Sequence, residues 1–150
     1  IRDHRASTLS KLPVYSKIRE TVDWIRSRCG QQPVLGIILG SGLGAFANSF
    51  SERTEIPYSS LPHFPFSTVA GHSGILVLGM MAGVPVAALQ GRVHLYEGYP
   101  VADVVYPARV LGCLGIRQLI VTNAAGGINT AFRPGDLMLI TDHINLMGAN

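Results

Sequence analysis

The chain has 150 residues, 47% of them hydrophobic and only 14% charged, with a formal net charge of +3. That is enough for one domain with its own core, and its charged share falls well below the usual ~25%, so the chain buries much of itself or buries surface against copies of itself. Residues 1–33 hold seven Lys or Arg against three acids, while residues 34–150 hold five Arg, six acids and no Lys; the near-neutral body offers no basic stripe for nucleic acid.

The longest apolar stretch, residues 75–89, is broken by Gly79, Gly83 and Pro85. It is too short to span a bilayer, which needs about 20 apolar residues. The sequence opens on no signal-peptide pattern, which leads us to expect a cytoplasmic protein. Cys29 and Cys113 fit no metal or redox spacing, so no metal is expected.

Taken in chain order, residues 14–29 predict a helix, because Ile18, Val22, Ile25 and Cys29 fall on one face. Arg26 and Arg28 suit its negative end and Gly30 its cap. Residues 34–39 predict a buried strand and residues 56–74, rich in Pro and Gly, a loop. Residues 75–90 predict two strands around a turn at Ala82 and Gly83. A helix is expected over about 101–114, with Pro107 tolerated early. Residues 117–127 predict another buried strand ending in a glycine turn, and 136–146 a further strand. A largely buried α/β sheet has helices on both faces, and two helices are too few for five or six strands. Either more chain follows residue 150 or another subunit covers the bare face. Tyr96, Tyr99, Phe64 and Phe66 sit in expected loops, where large side chains need a partner, which also points to self-association.

Four stretches could carry chemistry. The first is GSGLGA, residues 40–45, after the first strand. It satisfies G-x-G-x-x-A, a dinucleotide fingerprint that requires a following helix and an acidic residue about 20 positions on. The helix signal here is poor, Glu52 and Glu55 come too early, and position 60 is Ser. A single phosphate held by backbone N–H groups and the Ser41 hydroxyl needs fewer assumptions, and a plain strand-to-loop turn stays open. The second is LQGRVHLYEGYP, residues 89–100. If the backbone stays extended past Gly91, Arg92, His94 and Tyr96 point to one side. The guanidinium is a planar fork of donors suited to phosphate or carboxylate oxygens. An edge strand with a solvated polar face is the competing reading. The third is VTNAAGGI, residues 121–128, where small residues after a strand let a ligand lie against the backbone or let two segments cross tightly. The fourth is His72, between Gly71 and Gly74, which suits a cover over an anion but is equally a solvated loop histidine.

Together these residues resemble the purine nucleoside phosphorylase family, of the trimeric type that acts on 6-oxopurine nucleosides. The resemblance is carried by GSGLG (40–44), TVAGHSG (68–74), LQGRVHLYEGYP (89–100), LIVTNAAGGIN (119–129) and GDLMLITDHINL (135–146), in order and in register. It implies an α/β fold, a mixed central β-sheet flanked by helices, of which residues 1–150 form the first half of a single domain and 1–13 an N-terminal arm. It implies phosphorolysis of purine nucleosides to free base and ribose 1-phosphate, with inorganic phosphate as co-substrate and no cofactor. The expected partners are nucleoside and phosphate, in a homotrimer with no nucleic acid or membrane.

By the same resemblance Ser41, His72, Arg92, His94 and the backbone N–H of Ala124 bind phosphate. Arg92, His94 and Glu97 form the catalytic set, Glu97 by supporting the phosphate side. Tyr96, Asn123 and Ala125 line the nucleoside. The competing classes are a non-catalytic nucleotide-binding module or half of a Rossmann-type NAD oxidoreductase. A closer alternative is methylthioadenosine phosphorylase.

Overall fold

The computed structural model describes residues 13–65 and 73–148; His72, Phe66 and most of the expected N-terminal arm lie outside them. Helix α1 (Pro13–Arg26) buries Ile18, Thr21, Val22 and Ile25 on one face. It ends before the expected Cys29. The Ser27 hydroxyl donates to the Trp24 carbonyl at 2.7 Å, and the N–H groups of Arg28 and Cys29 both turn back to the Ile25 carbonyl. These bonds satisfy the last carbonyls locally, so Gly30 is not needed as the cap.

Five strands follow: β1 (Leu35–Leu39), β2 (Ser51–Pro57), β3 (Ile75–Met81), β4 (Val84–Gln90) and β5 (Gln118–Val121). Their order in the sheet is β2-β3-β4-β1-β5. β1 lies parallel to both β4 and β5, while β2, β3 and β4 run antiparallel in sequence. The sheet is therefore mixed, and its three parallel strands end on the same edge.

β2 was not expected. Its sequence, SERTEIP, is polar except at Ile56, which alone in the strand is buried. A solvated, charged edge strand carries little apolar signal. The register slips between Ser51 and Thr54, where Glu52 has φ +50°.

Strand alternation divides the core. Ile38, Leu76, Leu78, Ala87 and Leu89 pack with α1 residues and with Val110, Leu111 and Leu114. On the opposite face Ile37, Leu39, Val77, Val86 and Ala88 pack with Ala47 and Phe50, which come from a 3₁₀ stretch (Gly44–Ser49) and the residue after it. Among the described residues the helices thus cover one face, in line with the expected shortage.

The helix expected over 101–114 is two: α2 (Val101–Val104) and α3 (Tyr106–Leu114). Pro107 sits in the first turn of α3. It has no N–H to continue a ladder from α2, and its fixed φ suits a helix start. Phe64, expected to need a partner, is buried within this chain, its ring 4.7 Å from that of Tyr58 and 6.1 Å from that of Tyr106.

β5, expected to be buried, is exposed at all four residues, because it is an edge strand of the sheet. The strand expected over 136–146 does not form. These residues carry no ladder partner among the described residues, and Leu137 and Leu139 are 98% and 89% exposed. An apolar alternation becomes a strand only when its N–H and C=O groups find a neighbour.

The β3–β4 hairpin turns at the expected residues, with φ +49° at Ala82 and +78° at Gly83. Two successive positive φ values define the turn that best matches strand twist, and Asn-Gly is its preferred pair. Alanine in this region costs about 1–2 kcal/mol. Ala82→Asn is therefore expected to raise stability by about 0.5–1 kcal/mol, read as a higher denaturant midpoint at unchanged slope. An unchanged or lower midpoint would refute the assignment of strain to Ala82.

Candidate functional site

Three of the four stretches singled out above meet at the carboxyl ends of β4, β1 and β5. After β1 the chain turns over residues 40–43, closed by the Leu43 N–H donating to the Gly40 carbonyl at 3.1 Å. Gly42 has φ +83°, the left-handed third position of a tight turn where glycine is favoured. Ser41 is exposed on this turn. No long helix follows, only the 3₁₀ stretch and then antiparallel β2. A dinucleotide site needs a strand-helix-strand unit at this point, so that reading falls.

The turn is tied down from two sides. The Gln90 side-chain amide, at the end of β4, donates to the Gly44 carbonyl at 2.7 Å. The Gly40 N–H donates to the Thr122 hydroxyl at 2.8 Å. Gly40 lies so close to the end of β5 that an added Cβ would stand 2.8 Å from the Thr122 carbonyl oxygen and 3.1 Å from the Asn123 Cα. Ser41 and Asn123 are thus each one residue from a direct backbone contact, and Ala124 follows.

Arg92 joins the same point. It is partly buried, and its Nη1 donates to the Thr122 carbonyl at 2.8 Å. The chain reaches it through Gly91, whose carbonyl accepts the Tyr58 hydroxyl at 2.8 Å. Burial pushes the Tyr58 hydroxyl far above the usual tyrosine range, so it remains a proton donor to Gly91 at any ordinary pH. The Gly74 N–H donates to the Gln90 carbonyl at 2.9 Å, which brings the segment following residue 72 to this edge.

The extended row expected from Arg92 to Tyr96 stops at His94. A 3₁₀ turn (Leu95–Glu97) follows, with a left-handed Gly98 after it. The His94 N–H donates to the Glu97 carboxylate at 2.8 Å, and the imidazole in return faces the Glu97 backbone N–H. A ring nitrogen turned to that N–H is an acceptor, which leaves the proton of the neutral ring on the other nitrogen. The same turn lays Tyr96 over His94, ring centroids 4.8 Å apart and 13° from parallel. Tyr96 is 75% exposed. Position by turn thus replaces position by strand alternation.

The geometry therefore gathers Ser41, Arg92, Asn123 and Ala124 around one strand edge, with His94, Tyr96 and Glu97 on the turn that Arg92 leads into. Ala125 is exposed further along the segment after β5. His72 lies outside the described residues. Thr122 and Gln90 were not singled out as site residues. A Gln closing the run Val-Ala-Ala-Leu and a Thr closing Leu-Ile-Val were the available signals, since a polar side chain ending an apolar strand needs a partner. Among the described residues no cluster of three or more His, Cys, Asp or Glu could hold a metal, and no helix is long and apolar enough to cross a membrane.

A glycine turn, a guanidinium and an imidazole beside the ends of parallel strands are residue types suited to an oxyanion. The chain belongs to the phosphorylase superfamily, which it matches over residues 34–150. Within it the likeness is to purine nucleoside phosphorylases. Purine nucleoside phosphorylase 1 of Bacillus subtilis (strain 168) is 52% identical over 134 residues, covering 89% of this chain and 49% of that protein. The Bos taurus purine nucleoside phosphorylase is 48% identical over 134 residues, covering 89% of this chain and 46% of its own. The solved structure of isoform 2 of the Schistosoma mansoni enzyme, in complex with cytosine and ribose-1-phosphate, superimposes with a TM-score of 0.75 at 46% identity, over 81% of this chain and 43% of that one. The chain spans about half the length of the curated relatives it matches. Over the shared part the mixed sheet flanked by helices is the fold of these neighbours.

Proposed function

We propose that these residues form the phosphate side of a purine nucleoside phosphorylase, and that the whole protein converts a purine nucleoside and inorganic phosphate to free base and ribose 1-phosphate. The observation that carries the reading is the meeting of the 40–43 turn, Arg92 and the segment at 122–124 on one edge of three parallel strands. Relatives solved with ribose-1-phosphate and with hypoxanthine support it. In this reading Ser41, Arg92, His94 and the Ala124 N–H hold the phosphate, and the family resemblance adds His72, outside the described residues, to that set. Glu97 fixes His94, and Tyr96, Asn123 and Ala125 border the nucleoside.

The chemistry follows from that placement. A phosphate oxygen forms a bond to the anomeric carbon as the glycosidic C–N bond breaks; the bonding pair leaves with the purine, which takes up the proton that hydrogen phosphate gives up as the ester forms. The sugar gains oxocarbenium character, as in glycoside cleavage. A dianion fixed beneath the ring stabilises that charge and is already oriented for attack. Phosphate itself is the nucleophile, so the scheme calls for no metal or redox cofactor.

Residues 1–150 are on this reading the first half of one phosphorylase domain, and the protein works in the cytoplasm as a homotrimer. Support for assembly comes from apolar side chains left exposed at Leu43 and Phe46, along β5, and at Tyr96, since large apolar patches mark interfaces and closed symmetry satisfies them.

The test is release of base from a 6-oxopurine nucleoside by the whole protein, with and without phosphate, and its sedimentation in the same buffer. Phosphate-dependent release by a trimer is expected. Protection against unfolding by NAD, with no response to phosphate, would overturn the reading.

A further inference from the structure

Resting on the phosphate-site reading above, we infer that Thr122 is the positioning residue that sets the glycine turn and Arg92 in register with each other. Thr122 accepts a hydrogen bond from each of them. Its hydroxyl accepts the Gly40 N–H at 2.8 Å and lies 3.1 Å from the Ile38 carbonyl, to which it donates. Its carbonyl accepts Arg92 Nη1 at 2.8 Å.

The proton count makes this arrangement single-valued. A hydroxyl has one proton and can accept as well as donate. An N–H can only donate, so the Thr122 oxygen must be the acceptor from Gly40, and its own proton goes to Ile38. The Ile38 carbonyl also receives the Thr122 backbone N–H at 3.0 Å, so it keeps a partner if the hydroxyl is lost. Gly40 does not. Its residue is buried, and its N–H would have no acceptor. A buried donor left unpaired is costly, and the turn relieves that cost only by swinging out to water. Ser41 moves with it, away from the carbonyl that holds Arg92.

Thr122 therefore acts on phosphate without touching it. Thr122→Val keeps the shape and removes the acceptor, while Thr122→Ser keeps the hydroxyl and removes the methyl. In the whole protein, titrated with inorganic phosphate and assayed in steady state, the Val variant should bind phosphate about tenfold more weakly, the scale of one buried hydrogen bond. Its KM for phosphate should rise by the same factor, with KM for nucleoside and kcat close to those of the parent. The Ser variant should stay close to the parent in all of these, and it carries the test if the Val variant fails to fold. Equal phosphate affinity in the Val variant and the parent would overturn the inference alone. So would a Ser variant that loses phosphate affinity, because the methyl packing would then be the active feature. A parent that binds no phosphate would overturn the site reading and this inference together.

Discussion

Replacing Arg92 by Ala should lower phosphorolysis at limiting phosphate by at least about a hundredfold. The guanidinium is held at the strand edge by one bond to the Thr122 carbonyl, which aims the planar fork rather than consuming it, because five N–H donors are available. Charge-assisted hydrogen bonds contribute about 1.5–3 kcal/mol each. Two of them to a dianion, at 1.4 kcal/mol per decade, give a loss of two to four orders of magnitude in kcat/KM for phosphate. Arg92→Lys should recover only part of this. A lysine keeps the charge but loses the planar fork, and its three donors radiate from a single nitrogen, so they do not match two phosphate oxygens side by side. Steady-state rates at phosphate well below KM decide the matter. Near-parental turnover by the Ala variant would remove Arg92 from the site.

Part of this architecture could be read from residue order and part could not. β1, β3 and β4 were legible because Leu-Gly-Ile-Ile-Leu and the two runs about Ala82 and Gly83 are apolar and bounded by turn residues, and burial on both faces demands such runs. β2 was not, since an edge strand exposed to water has no need of them. Residues 136–146 show the opposite failure: their apolar pattern is strong, but pairing is a property of two strands and only one was in view.

The site follows the same division. The glycine turn, Arg92 and the small residues after β5 were legible as types of residue suited to an anion. Their convergence depends on β1 lying between β4 and β5, which local pattern does not encode. Thr122 and Gln90 act through long-range bonds to Gly40 and Gly44; a polar residue closing an apolar run signalled that each needs a partner, but not which one. Tyr96 was expected beside Arg92 by strand alternation; the turn at Leu95–Glu97 instead sets it on His94.

A single methyl group at Gly40 is expected to do nearly as much damage as the loss of Arg92. Gly40 has no left-handed backbone requirement, so its need for glycine is one of space. A Cβ there would stand 2.8 Å from the Thr122 carbonyl oxygen, 3.2 Å from its carbon and 3.1 Å from the Asn123 Cα. All three are backbone atoms, which cannot rotate away as a side chain would. Two of them belong to Thr122, the residue that accepts both the Gly40 N–H and Arg92. Two relaxations are possible. The turn can lift from β5, breaking the bond to the Thr122 hydroxyl, or the end of β5 can shift, carrying the Arg92 acceptor with it. Either separates the two halves of the proposed cradle. Overpacking of this kind costs about 1–3 kcal/mol, so Gly40→Ala should lower the unfolding midpoint and also abolish stabilisation by phosphate. Gly44→Ala is the natural control. It sits on the same loop with nothing within 4 Å of its added Cβ, and it should respond to phosphate as the parent does. Thermal unfolding of both variants across a phosphate series separates the outcomes. If Gly40→Ala retained full phosphate protection, close approach of the turn to β5 would be irrelevant to anion binding, and the site would have to be sought elsewhere on the strand edge.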